Sequence, residues 1–337
     1  MIRVNQLNQQ FTTYKKEPGF RGSVKALFKR EFETKFALQN ISFSIKPGEL
    51  VGLIGANGAG KTTLVKILSG IVTPTSGSVD VLGFKPQERN DLYRSQLALI
   101  MGQKAQLWWD LPALDSFLLL KEIYQISDAK YNSNIVLLSE MLQIKNLLNV
   151  QVRRLSLGER MKVELMASLL HNPSVIFLDE PTIGLDFASQ KAVREFLRFY
   201  QKEFSPIVIL TSHYMKDIEE LCERVMLLHE GKLVYDGNIA GLKTEETEKK
   251  NALCYYNKTK IADQNEWINI CLKFHIHIEI TKWENQELCF TFPKSSLSKL
   301  VPLLFEHFDI EDFAIKDTDI GELINARLYF SSTSTMI

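Results

Sequence analysis

The chain has 337 residues, 45% apolar and 24% charged, enough for two ordinary domains, each with a core of its own. Lysine plus arginine equals aspartate plus glutamate at 40 each, so no net field draws the whole molecule to nucleic acid or an anionic membrane, and no nucleic-acid partner is expected. The four cysteines, Cys222, Cys254, Cys271 and Cys289, show no CxxC spacing, and no apolar run reaches the ~18–20 residues that span a bilayer; a zinc cluster, a disulfide framework and a membrane span are all disfavoured, and a reducing cytosol is the expected compartment.

The opening MIRVNQLNQQFTTYKKEPG lacks an apolar signal core. GFRGSVKALFKREFETKFAL follows, with Val24, Leu27, Phe28 and Phe32 at helical spacing and Arg21, Lys25, Lys29 and Arg30 on the other faces, which predicts a short amphipathic helix within an insert at about 18–35. From about 36 to 240, short apolar runs (ISFSI, LVGLIG, LALIM, SVIFLDE, PIVILTSH, RVMLLHEGKLVYDG) alternate with helical patterns. That alternation predicts an α/β fold around a largely parallel sheet.

GANGAGKTT, Gly55–Thr63, lies between the strand GELVGLI and the helical LVKILSG, the context that GxxxxGK[ST] requires. Gly55, Gly58 and Gly60 let successive N–H groups turn toward phosphate oxygens at a helix N-terminus, with Asn57, Ala59 and Thr63 completing the loop. Lys61 would reach the β- and γ-phosphates of a nucleotide and Thr62 a Mg²⁺ ion. Farther on, QLWWDLP sets Trp108 beside Trp109, a pair that one hydrophobic face cannot easily bury. LSLGERMKVELMASLLH reads first as an S-x-x-E capping box, Ser156 with Glu159, before an amphipathic helix. VIFLDEP then ends an apolar strand in Asp179 and Glu180, at the sheet edge where ligands bind. Asp179 would hold the Mg²⁺ and Glu180 would polarise the water attacking a γ-phosphate, although such an acidic pair also occurs as a solvated turn.

Lys243–Lys250, KTEETEKK, contains no apolar residue and predicts a linker. Beyond it, ALCYYN, QNEWINICLKF, HIHIEI, ELCFTF, SSLSKLVPLLFEHF and EDFAI give the order βαββαβ of a small ferredoxin-like α+β domain over 251–337, closed by a last helix DIGELINARLYF. His275 and His277 share a strand face in this reading, a metal-compatible spacing that a solvent-facing strand explains better.

Together the P-loop, LSLGE and LDEPTIGLD resemble the ATP-binding cassette (ABC) ATPases over about residues 1–242. The resemblance implies a P-loop cassette with a RecA-like core, an antiparallel β subdomain and a helical subdomain at about 104–172, an ATP hydrolase dependent on Mg²⁺. It also implies a head-to-tail dimer closed by ATP, in which Ser156, Gly158 and Glu159 meet the nucleotide of the partner subunit. Asp186 in IGLD matches the loop linking the two sites, His213 the switch histidine beside the γ-phosphate, and Gln103 the glutamine that contacts Mg²⁺ and water. Leu157 and Glu159 depart from the usual LSGGQ. For the adenine ring, Phe11 and Tyr14 both qualify as a stacking platform, with Phe11 favoured by position.

GQKAQLWWDLPALDSF, RRLSLGERM and the basic insert are similar to those of type-2 exporter subunits related to daunorubicin and viologen exporters. That likeness implies export through a separate permease, contacted around Gln103–Leu120, from the cytoplasmic face of the membrane. It also implies a regulatory or dimer-bracing C-terminal domain. A non-transport cassette acting on nucleic acid or ribosomes is the alternative, disfavoured by the balanced charge and the lack of a coiled-coil insertion; import is a third reading.

Overall fold

The computed structural model describes residues 1–14, 32–102, 106–212, 214–242 and 249–317. The chain divides into two compact units, Met1–Ile239 and Ala240–Ile337. In chain order the first unit contains β1 (Ile2–Tyr14), β2 (Phe32–Ile45), β3 (Leu50–Ile54), α1 (Lys61–Leu68), β4 (Ser76–Val81), α2 (Asp91–Arg94), β5 (Leu97–Met101), α3 (Ala113–Ile123) and α4 (Asp128–Met141). It continues with α5 (Leu157–Leu169), β6 (Val175–Asp179), α6 (Phe187–Phe204), β7 (Ile207–Thr211), α7 (Met215–Leu221), β8 (Arg224–His229) and β9 (Lys232–Asn238).

These strands form two sheets. An antiparallel sheet has the order β2-β1-β4, and a six-stranded sheet the order β5-β6-β7-β3-β8-β9, parallel throughout except for the last strand. Every residue of β6 and β7 is buried, which is why VIFLD and IVILT read as unbroken apolar runs without alternation. α6 has the opposite character: Val193, Phe196, Leu197 and Tyr200 face inward at helical spacing, Asp186 caps its start, and Ser205, in the left-handed conformation, ends it just before Pro206.

The predicted amphipathic helix is corrected at its end. Phe32, Glu33, Thr34 and Lys35 pair with Tyr14, Thr13, Thr12 and Phe11, so Phe32 belongs to a strand. A ladder of backbone hydrogen bonds to β1 outweighs the helical period that Phe32 completes by chance. The rest of that helix falls in 15–31, outside the described residues.

The second unit runs β10 (Lys249–Thr259), α8 (Gln264–Lys273), β11 (Glu279–Glu284), β12 (Glu287–Pro293), α9 (Leu297–His307) and β13 (Phe308–Asp317), the βαββαβ order read from the sequence. Its antiparallel sheet has the order β11-β12-β10-β13 around a core that includes Trp267, Phe290, Phe292 and Leu300. Two expectations shift here. Lys249 and Lys250 pair with Pro293 and Phe292 and so belong to β10, not to the linker, whose remainder (243–248) is outside the described residues. HIHIEI is only partly strand: His275, at φ 59, closes α8 through N–H bonds from His275 to Leu272 O and from Ile276 to Cys271 O, and β11 starts at Glu279. His275 and His277 therefore share no strand face, and no group of three metal-ligating side chains occurs among the described residues. The expected last helix lies outside them.

Candidate nucleotide site

β6, β7 and β3 are parallel neighbours, so the loops after them open on one edge of the sheet. Gly55–Gly60 leave β3 and turn into α1. Gly60 stands at φ 109, where a Cβ would lie 2.6 Å from Ala37 O, so only glycine fits the turn. No side chain caps α1, and its first residues Lys61, Thr62 and Thr63 line a cleft of about 290 Å³ together with Asn57, Gly58, Gly60 and Glu180. An uncapped helix start in a glycine turn offers N–H groups and the positive end of a helix dipole to an anion. Ala59 is the buried member of the loop, packed into the core.

Lys61 is buried and its ammonium donates to Gly55 O at 2.6 Å and Ala56 O at 3.2 Å. Burial lowers its pKa, opposed by the charges of Glu180 and Asp179. Thr62 Oγ1 donates to Asp179 Oδ2 at 3.1 Å, and Thr211 Oγ1, at the end of β7, donates to Asp179 Oδ1 at 2.7 Å. The pair of hard oxygen donors from Thr62 and Asp179 suits Mg²⁺. Glu180 follows at φ 57, in the left-handed region, with its N–H held by Thr211 O and Oγ1, both at 3.1 Å. Thr211 thus touches both acidic positions, a role that a single threonine ending an apolar strand does not announce in the sequence.

Phe11, on β1 opposite Lys35, lines the same cleft and is 42% exposed. The Tyr14 side chain is outside the described residues. So are Gln103 and His213, but their flanks are placed: Gly102 N donates to Asp179 O at 2.9 Å, and Tyr214 N donates to Ser212 Oγ at 3.0 Å.

Ser156 caps α5 in a complete capping box: Glu159 N donates to Ser156 Oγ at 3.3 Å and Ser156 N to Glu159 Oε2 at 2.9 Å. The Ser156 backbone and hydroxyl donors hold the Glu159 carboxyl below the usual range. Gly158 is pressed against the start of α6, where a Cβ would meet Ser189 Oγ at 2.2 Å. Ser189 in turn donates from N (2.9 Å) and Oγ (2.7 Å) to Asp186, lowering that carboxyl's pKa. Ser156, Glu159 and Asp186 therefore share one surface of two abutting helix starts, with Gly158 buried at their close contact, and none of the four lines the cleft of Lys61.

Trp108 and Trp109 are 45% and 50% exposed, so neither is a core residue. The Arg160 guanidinium of α5 lies 5.4 Å from the centroid of a Trp109 ring. Leu111, Leu118, Leu119 and Ile123, in the same segment and on α3, are exposed as well.

A family model described as ABC transporter matches residues 38–183. The chain is 35% identical over 211 residues to the uncharacterized ABC transporter ATP-binding protein MJ1023 of Methanocaldococcus jannaschii, spanning 62% of this chain and 74% of that one. It is 29% identical over 226 residues to the ABC transporter ATP-binding protein NatA of Bacillus subtilis, with coverage of 67% and 91%. The dimeric ATP-binding cassette MJ0796, solved in a post-hydrolysis state bound to ADP and Pi, has the same fold at a TM-score of 0.58 and 22% identity over 71% of this chain and 99% of that chain.

Proposed function

The chain belongs to the ATP-binding proteins of ABC transporters, a family of Mg²⁺-dependent ATP hydrolases, and from that premise we propose that it powers export of a hydrophobic, cationic or lipid-like compound through a separate permease. The observation that carries the hydrolytic reading is the convergence of Lys61, Thr62, Asp179 and Glu180 on one uncapped helix start. Lys61 and the N–H groups of the loop grip the β- and γ-phosphates; Phe11 stacks on adenine. Thr62 and Asp179, and by the family resemblance Gln103, would hold Mg²⁺, which when bound would neutralise charge on the phosphates. Glu180 accepts a proton from the attacking water, and His213, by the family resemblance, is the switch histidine that orients it.

The surface of Ser156, Glu159 and Asp186, with Gly158 packed beneath it, stands apart from the chain's own cleft, which supports its use on the nucleotide of a second subunit. MJ0796, of the same fold, is dimeric, which accords with the dimer proposed here. For the permease, the support is the exposed apolar side chains of Trp108, Trp109, Leu111, Leu118 and Leu119, within Gln103–Leu120. Among the described residues no helix is long and apolar enough to cross a membrane; the peripheral placement at the cytoplasmic face rests on the family resemblance. The export branch itself rests on the resemblance of the LWWDLP and LSLGERM segments, and the C-terminal unit is read as regulatory or dimer-bracing.

Glu180→Gln tests the hydrolytic reading. The expected result is ATP binding retained, turnover down by at least ~100-fold, and an ATP-dependent doubling of mass on size-exclusion chromatography. Unchanged turnover would overturn the assignment of Glu180.

A further inference from the structure

Behind the cleft, the Asp217 carboxylate of α7 is 1% exposed and gathers three donors. Its Oδ2 accepts from Thr182 Oγ1 and from Ser212 Oγ at 2.7 Å; its Oδ1 accepts from Arg194 Nη1 of α6 at 2.9 Å. The Arg194 guanidinium is buried too, and its Nε lies 3.3 Å from Glu220 Oε2. Thr182 and Ser212 are themselves buried. These two hydroxyls come from the two loops that matter for hydrolysis: Thr182 sits two residues past Glu180, and Ser212 precedes position 213 while also accepting the N–H of Tyr214 at 3.0 Å.

A buried ion pair is a weak source of stability, because the cost of desolvating both charges offsets much of their attraction. The two hydroxyls offset part of the cost of burying the carboxylate; because they come one from each loop, the same contacts also tie the two loops to one fixed point. Glu180 stands in a left-handed backbone conformation that persists only where the surroundings over-determine it. On the cleft side its N–H is held by Thr211; on the far side Asp217 holds Thr182 and, through the same oxygen, Ser212.

We propose that Thr182, Ser212, Arg194 and Asp217 are a positioning network that fixes the Glu180 loop against the loop around position 213, setting the hydrolytic register from behind the cleft. The proposal rests on the reading of Glu180 as the group that polarises the attacking water. Arg194 neutralises and orients the carboxylate; the two hydroxyls transmit its position to the loops.

The test uses the full chain and removes single hydroxyls, leaving the Arg194–Asp217 pair intact so that folding is retained. Thr182→Val and Ser212→Ala are each expected to lower kcat about tenfold with KM for ATP within about twofold of wild type. Thr182→Ser, which keeps the hydroxyl, should restore kcat. Wild-type kcat in Thr182→Val would overturn the network. So would an equal loss in Thr182→Ser, or a loss that disappears when each variant is assayed the same interval below its Tm. The Glu180→Gln control separates the two ideas: wild-type turnover there removes the reading of Glu180 and the network with it, whereas an inactive Glu180→Gln beside a fully active Thr182→Val removes the network alone.

Discussion

At the scale of single residues, the charges of the site already have partners in the chain itself. Lys61 satisfies its buried ammonium with the carbonyls of Gly55 and Ala56, and Asp179 satisfies its carboxylate with two threonine hydroxyls. A buried charge without such partners is costly, so the loop has a folded arrangement ready before any phosphate arrives. The adenine end has less built for it. Phe11 is half exposed at the rim of the cleft, and a ring that stacks on a base contributes about 1–3 kcal/mol. Phe11→Ala is therefore expected to raise KM for ATP about tenfold with kcat unchanged, since the lost contact is equal in ground and transition states. Steady-state kinetics check it, and a change in kcat alone would place the adenine elsewhere. The sequence made Lys61, Thr62, Asp179 and Glu180 legible because their spacing is local and each follows a strand. Thr211, Thr182 and Asp217 were not legible, because their meaning lies in contacts between loops far apart in the chain.

At the scale of elements, the parallel sheet was legible for a physical reason: strands covered on both faces must be apolar at every position, and β6 and β7 are. Where the reading failed, a local period met a stronger non-local or capping demand. Phe32 fits a helical stripe but is claimed by pairing with Tyr14, and His275 fits a strand alternation but serves as the left-handed closure of α8. The tryptophan pair was legible as an oddity, and the structure sharpens it. Trp109 lies under the Arg160 guanidinium of the helix that Ser156 caps, a contact of roughly 0.5–1 kcal/mol at an exposed site. Trp108 has no such tie among the ring contacts described and faces outward beside Leu111. Trp108→Ala should leave ATPase activity of the chain alone within twofold while lowering co-purification of the permease by about tenfold, the scale of an aromatic anchor lost from an interface. Undiminished co-purification and transport in both Trp108→Ala and Trp109→Ala would show that the exposed pair has no part in docking.

At the scale of the molecule, two apolar clusters among the described residues lie in different units. One joins the β1–β4 sheet, α1 and the parallel strands; the other gathers Trp267, Phe290, Phe292, Leu300 and Leu304 within the second unit. Trp267 is fully buried and meets Phe308 edge-on at 5.0 Å, yet its indole Nε1 has no hydrogen-bond partner among the described residues. Its contribution is then almost wholly shape and apolar area, and truncating it leaves a large cavity costing about 3–5 kcal/mol. Because that cost falls within the second cluster, Trp267→Ala should lower one calorimetric transition and leave another, with ATP binding to the first unit within twofold of wild type. Trp267→Phe, which fills most of the space and deletes the unpaired N–H, should cost distinctly less. If Trp267→Ala instead shifts a single transition and weakens ATP binding in proportion, the two cores unfold as one, and the second unit contributes to the nucleotide site through stability rather than acting as a separate module.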